Sequence, residues 1–128
     1  VKQRVPLASY RKNLKEIVTY LKEFAPEAKL IFATTTPVPE GVQRHYVAGD
    51  AAKYNVVALE IIKEFPEISI NDLFTLTKPN HPKWWSKPGD VHYNPVGVRS
   101  HAKQVAHVIL KGLAEKKTAE QENASDKK

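Results

Sequence analysis

Asp90 and His92 stand two residues apart in the stretch Lys87-Pro88-Gly89-Asp90-Val91-His92-Tyr93-Asn94-Pro95-Val96-Gly97. A carboxylate beside an imidazole is the pairing that general acid–base chemistry requires. The acid orients the ring and stabilises its charged form, while the ring can exchange a proton near neutral pH. The following residues define the setting. Asn94 is a favoured N-cap and Pro95 suits a first helical position, so His92 falls on a loop just ahead of a sharply defined helix start. By spacing alone the same residues also fit a plain surface turn.

Other residues in this part of the chain invite chemistry. Trp84 and Trp85 could stack on a sugar or an aromatic ester, or simply cover a core. Asp90, His92 and His81 are metal-ligating types, but they lack the i, i+4 or paired-cysteine spacing of recognisable zinc sites, so no metal is expected. His45, His101 and His107 read as surface residues, and Tyr93 as packing beneath the loop.

The elements that must position these groups follow from periodicity and punctuation. A helix is expected from about Ser9 to Ala25, with Leu14, Ile17, Val18 and Leu21 on one face and Pro26 ending it. Residues 29–35 form a continuous run of strand length, which suggests a strand covered on both faces. Thr36-Pro37-Val38-Pro39-Glu40-Gly41 breaks that strand, and a long loop runs to Gly49. Asp50 can cap a second helix whose buried stripe is Tyr54, Val57, Ala58, Ile61 and Phe65. Residues 68–71 form a second strand, followed by a short turn of helix over residues 72–77 and an irregular loop. A third helix runs from about Pro95 to Leu113, burying Val98, Ala102, Val105, Ala106 and Ile109. Residues 114–128 form a charged tail without periodicity, expected to be disordered.

This alternation is the cadence of a parallel, doubly wound sheet, in which ligands bind outside the carboxyl ends of the strands. Both irregular loops leave from those ends. Two strands cannot complete such a sheet, so the sheet is expected to be partial.

Composition narrows the classes. The chain has 128 residues, 41% hydrophobic and 27% charged, which suits one globular domain. No apolar run approaches the roughly 18 residues of a membrane span. The absence of cysteine excludes disulfides and thiolate chemistry. With no methionine, Val1 is not an initiator product, and the chain reads as a fragment or processed product. Any signal peptide would lie upstream, leaving a secreted or periplasmic location open. The net charge of +6 does not point to nucleic acid. Six basic residues against two acids crowd the first 23 positions, the tail is neutral, and no basic–aromatic alternation appears.

Taken together, the residues resemble a family. Asp90-Val91-His92-Tyr93-Asn94-Pro95-x-Gly97, followed by an amphipathic helix, is similar to the final conserved block of the GDSL/SGNH hydrolases. Residues 30–39 resemble the fourth strand and its loop in bacterial members, and Ile70-Asn71-Asp72-Leu73 the fifth strand and its exit. The resemblance covers about residues 5–113. It implies a flavodoxin-like three-layer α/β/α fold with a parallel sheet, of which only the C-terminal αβαβα portion is present.

The resemblance also implies hydrolysis of acyl or acetyl esters of small molecules or carbohydrates through a Ser-His-Asp arrangement. His92 matches the catalytic histidine. The common pattern has an aspartate three residues before it, where this chain has Gly89. Asp90 is then the matching acid, with Asp72 a spare candidate whose simpler role is a helix N-cap. Thr36, Trp84 and Trp85 would line the substrate, and no cofactor is implied. The family's Gly-Asp-Ser nucleophile block and its oxyanion-hole residues precede the matched region. The chain alone is therefore expected to be inactive. The alternative is a non-catalytic flavodoxin-like binding or regulatory domain using the same loops.

Overall fold

The structure, a computed structural model, describes residues 5–40 and 46–125. Its elements run α1 (Leu7–Phe24), β1 (Ile31–Ala33), α2 (Asp50–Ile62), β2 (Ser69–Asn71), α3 (Leu73–Thr77), a 3-10 turn (Lys78–Asn80), α4 (His81–Trp84) and α5 (Pro95–Ser125). The expected loop from Thr36 to Gly49 and the surface placement of His45 fall partly or wholly outside the described residues.

β1 and β2 are adjacent and parallel, pairing Ile31 with Ser69, Phe32 with Ile70 and Ala33 with Asn71. Successive residues of a strand point to opposite faces. Phe32 packs into the core of Val18, Ile62 and Ile68, with Leu14, Leu30 and Phe65 around it. Ile31 lies on the other side, where α5 comes so close that a side chain on Gly112 would meet Lys29 and Ile31. Also on that side, Gln104 Nε2 donates to Asn71 Oδ1 at 2.8 Å. Each side chain in the apolar cluster contributes roughly 1.5–3 kcal/mol when fully buried. α1 is held along α2 by an edge-to-face contact of Tyr10 with Tyr54 at 5.0 Å and by the exposed pairs Arg11–Glu60 and Lys15–Glu64.

The flavodoxin-like α/β/α fold with a multi-stranded sheet is not what the chain forms. The structure is mostly helical, and its sheet is a ribbon of two strands of three residues each. The apolar run of residues 29–35 is long enough for more. Beyond Ala33, however, the Asn55 side chain takes both polar groups of Thr35, accepting from its N–H at 2.9 Å and donating to its carbonyl at 2.8 Å. A side chain thus does there what a neighbouring strand would do, and the ladder stops.

Over the narrow ribbon, two expected apolar stripes are covered only in part. On α1, Val18 is buried, but Ile17 and Leu21 are exposed. On α5, Val98, Ala102, Ala106 and Ile109 are exposed, and the inward face is Gly97, His101, Gln104, Val105 and Gly112. Small and polar residues meet the ribbon because they allow close approach and bond to it.

Two local expectations also change. The helix that was to end near Leu113 continues through Ser125, where a disordered tail was expected. Its Ala, Glu, Lys and Gln residues are strong helix formers. The pairs Lys111–Glu115 and Lys116–Glu120 link successive turns, and Lys29–Glu115 ties the extension back to the segment before β1. The irregular loop after Thr77 holds a 3-10 turn and the short α4 before becoming irregular at Trp85.

Candidate active site

The loop of residues 85–94 is closed at its base by backbone pairing. Trp85 and Tyr93 form an antiparallel bridge, Asn94 N donates to Trp84 O at 2.8 Å, and Ser86 N donates to His92 O at 2.9 Å. At its tip, Pro88 and Gly89 occupy the centre of a turn whose Asp90 N–H donates to Lys87 O at 3.1 Å. Gly89 has φ +71°, and a Pro-Gly pair with positive φ at the glycine is the mark of a type II turn. Gly89 thus turns the loop, and Asp90 follows directly from that turn.

Asn94 fixes the exit. Its Oδ1 accepts from Val96 N and Gly97 N at 3.0 Å each, capping α5 as expected, while its amide donates to Lys83 O at 2.9 Å. Gly97 then lets the helix pass against α4: an added Cβ would lie 2.9 Å from Trp84 Cβ.

Within this frame the two residues singled out by spacing meet. His92 Nδ1 lies 2.8 Å from Asp90 Oδ1, and the His92 backbone N–H donates to the same oxygen at 3.1 Å. A carboxylate only accepts, so Nδ1 carries the proton in this contact and Nε2 is the ring nitrogen left outside it. The Asp90 side chain is 13% exposed and that of His92 81%. The ring is therefore anchored on its inner edge and open on its outer one. The Ser86 hydroxyl, which donates to Asp90 Oδ2 at 2.7 Å, is the foremost reason the carboxyl is held well below the usual carboxylate range; the His92 ring and backbone add to it. Ser86 is thus committed to the acid and not to Nε2. Its place in this network had not been read from the sequence, although a serine flanking a Pro-Gly turn is a recognisable signal.

Asp72 has a different role. It is the N-cap of α3, accepting from Thr75 N at 3.1 Å and from the hydroxyl of Thr34 at 2.8 Å. Burial alone would raise its carboxyl, but the bonds from Thr75, Thr34 and Phe74 outweigh it and bring it below the ordinary value. Among the described residues, every hydrogen bond of the Asp72 carboxylate goes to its own turn or to Thr34.

Of the expected lining residues, Thr36 sits beside the Tyr93 hydroxyl, and Trp84 and Trp85 are half-buried at the base of the loop. Trp85 packs edge-on against His81 at 5.1 Å. Trp84 meets the His101 ring at 5.6 Å, and Tyr93 meets it at 4.6 Å. His101 is therefore not the surface residue expected, and its Nε2 lies 2.7 Å from Thr77 Oγ1. His81 is buried in the same cluster, and burial pushes both imidazoles down toward the neutral form. His81 Nε2 and Trp85 Nε1 are buried without a hydrogen-bond partner among the described residues, whereas the buried Tyr93 hydroxyl has Thr36 beside it. No sequence signal marks this cluster, because its members come from three separate elements. Among the described residues no three His, Asp or Glu side chains converge as metal ligands, and no helix is long and apolar enough to cross a membrane.

No family model matches the chain, and no curated protein matches it significantly.

Proposed function

We propose that this chain supplies the acid–base half of a serine ester hydrolase acting on acyl or acetyl esters of small molecules or carbohydrates. The observation that supports this reading is the Asp90–His92 pair, bonded through Nδ1 with Nε2 facing outward. In the proposed reaction, Nε2 takes the proton of a serine hydroxyl as its oxygen attacks the ester carbonyl. The resulting imidazolium returns that proton to the departing alcohol, and water then releases the acyl group by the same sequence. Asp90 stays ionised throughout, which favours the protonated ring and keeps its orientation. The serine and the oxyanion donors come from polypeptide outside residues 1–128. The same bonds around Asp90 would also brace the loop of a non-catalytic binding module, which is the second reading.

The test uses the parent enzyme that contains the nucleophile. His92→Ala should lower kcat by about three or more orders of magnitude with little change in melting temperature, because a solvent-exposed ring contributes little packing. Full activity in that variant would leave only the bracing role. Residues 1–128 alone should not turn over a short acyl ester. Turnover blocked by a serine-directed covalent inhibitor would show that the nucleophile lies within them.

A further inference from the structure

A cleft of about 460 Å³ opens between α5 and the α3–α4 segment, lined by Asn80, Trp84, Ser100, Lys103, Gln104 and His107, with Leu76 behind. We propose that it binds a monosaccharide carrying an anionic group. The inference does not rest on the ester hydrolase reading, since it requires no reaction.

The charge distribution points to an anion. The cleft's described lining holds two basic side chains and no carboxylate. Arg99, Lys103 and His107 are spaced four residues apart along α5, and among the described residues none of the three has an ion-pair partner. The like charges of Arg99 and Lys103 at that spacing oppose helix formation. A bound anion relieves that repulsion, its bond to the Lys103 ammonium is charge-assisted, and the His107 ring can donate an N–H to it.

The remaining walls suit a hydroxylated ring. Trp84 provides an apolar face held in place from two directions, by the close passage of Gly97 and by the His101 ring at 5.6 Å. Aromatic faces of this kind stack on the C–H face of a sugar. Gln104 is oriented by its 2.8 Å bond to Asn71, which uses its amide N–H and leaves its carbonyl oxygen to accept from a hydroxyl. The Asn80 amide donates to Leu76 O at 3.5 Å, which leaves its carbonyl oxygen without a hydrogen bond among the described residues. The Ser100 hydroxyl donates to Val96 O at 2.9 Å and can still accept. A few oriented polar groups around one aromatic wall, in a cleft of this size, are the usual makings of a small-molecule site.

The experiment is a titration of the ¹⁵N-labelled chain, following the Trp84 indole N–H and the His107 ring. Glucose 6-phosphate and glucuronate are the probes, with glucose and inorganic phosphate as controls. Saturable shifts are expected for at least one anionic sugar, with a Kd of about 1 mM; which of the two binds identifies phosphate or carboxylate as the anion. Lys103→Gln and His107→Gln, both at exposed positions, should each weaken binding about tenfold. Tyr20→Phe, on α1 and outside the cleft's lining, should leave it unchanged. No saturation by either sugar overturns the proposal. So does equal binding of glucose, equal binding of inorganic phosphate, or an affinity indifferent to Lys103 and His107.

Discussion

The turn that leaves β2 and the loop that leads into α5 are made of the same parts. Each holds an aspartate that accepts from a nearby hydroxyl and from a backbone N–H, and each carboxyl is pulled below its ordinary range. At Asp72 every bond is spent on starting α3 and tying it to Thr34. At Asp90 one oxygen also holds an imidazole whose ring is otherwise exposed. A depressed carboxyl is therefore no guide to function by itself, since capping and orienting a base both produce one. What separates the two sites is a second titratable ring, fixed on one side and exposed on the other.

The sharpest way to break this comparison is to remove the two charges in turn. In the hydrolase of the proposed function, Asp90→Asn should cost on the order of 10²–10⁴ in kcat with KM little changed, because the ring loses the charged partner that orients it. Asp72→Asn keeps a good N-cap and should leave kcat close to that of the unmodified enzyme. Steady-state kinetics of the pair decide the matter, and a loss carried by Asp72→Asn would reverse the two roles.

A smaller effect is expected on stability, with the order inverted. Asp72→Ala removes the cap of α3 and should cost about 0.5–2 kcal/mol in denaturant unfolding. If the unfolding midpoint does not move, Thr34 alone organises that turn.

The smallest effect is expected with pH. His81 and His101 have folded-state values below the usual imidazole range, so the unfolded chain takes up their protons first as pH falls. Stability should be full above about pH 6.5 and decline as pH drops through that value toward the folded ones. The lowered carboxyls of Asp72 and Asp90 act in the same direction but only below about pH 4. Melting curves should therefore show two acid windows, the upper one reduced in His81→Phe. A melting temperature constant from pH 7.5 to 5 would contradict the neutral, buried state of the two imidazoles.

Much of the candidate site was legible in the sequence because its determinants are local. Pro88-Gly89 specifies a turn, Asn94-Pro95 a helix start, and the two-residue spacing of Asp90 and His92 lets one side chain reach the other. The parallel pairing of two short strands could likewise be inferred from the helices between them. The fold class could not. Whether an apolar run becomes a long strand depends on what lies beside it, and here Asn55, twenty residues from Thr35, satisfies the backbone instead. The same holds for α5. Periodicity correctly announced an amphipathic helix, but of its expected stripe only Val105 faces inward, while glycine, glutamine and histidine make the contacts that were assigned to Val98 and Ile109. Local chemistry determined the Pro-Gly turn, the Asp72 and Asn94 caps and the Asp–His pair, since those interactions span only a few residues, whereas α2 starts after Gly49 with positive φ and Asp50 lies in its first turn instead of capping it. The rotation of α5, the burial of His81 and His101 and the cleft beside Trp84 were decided by tertiary packing alone, because each depends on surfaces brought together from separate parts of the chain.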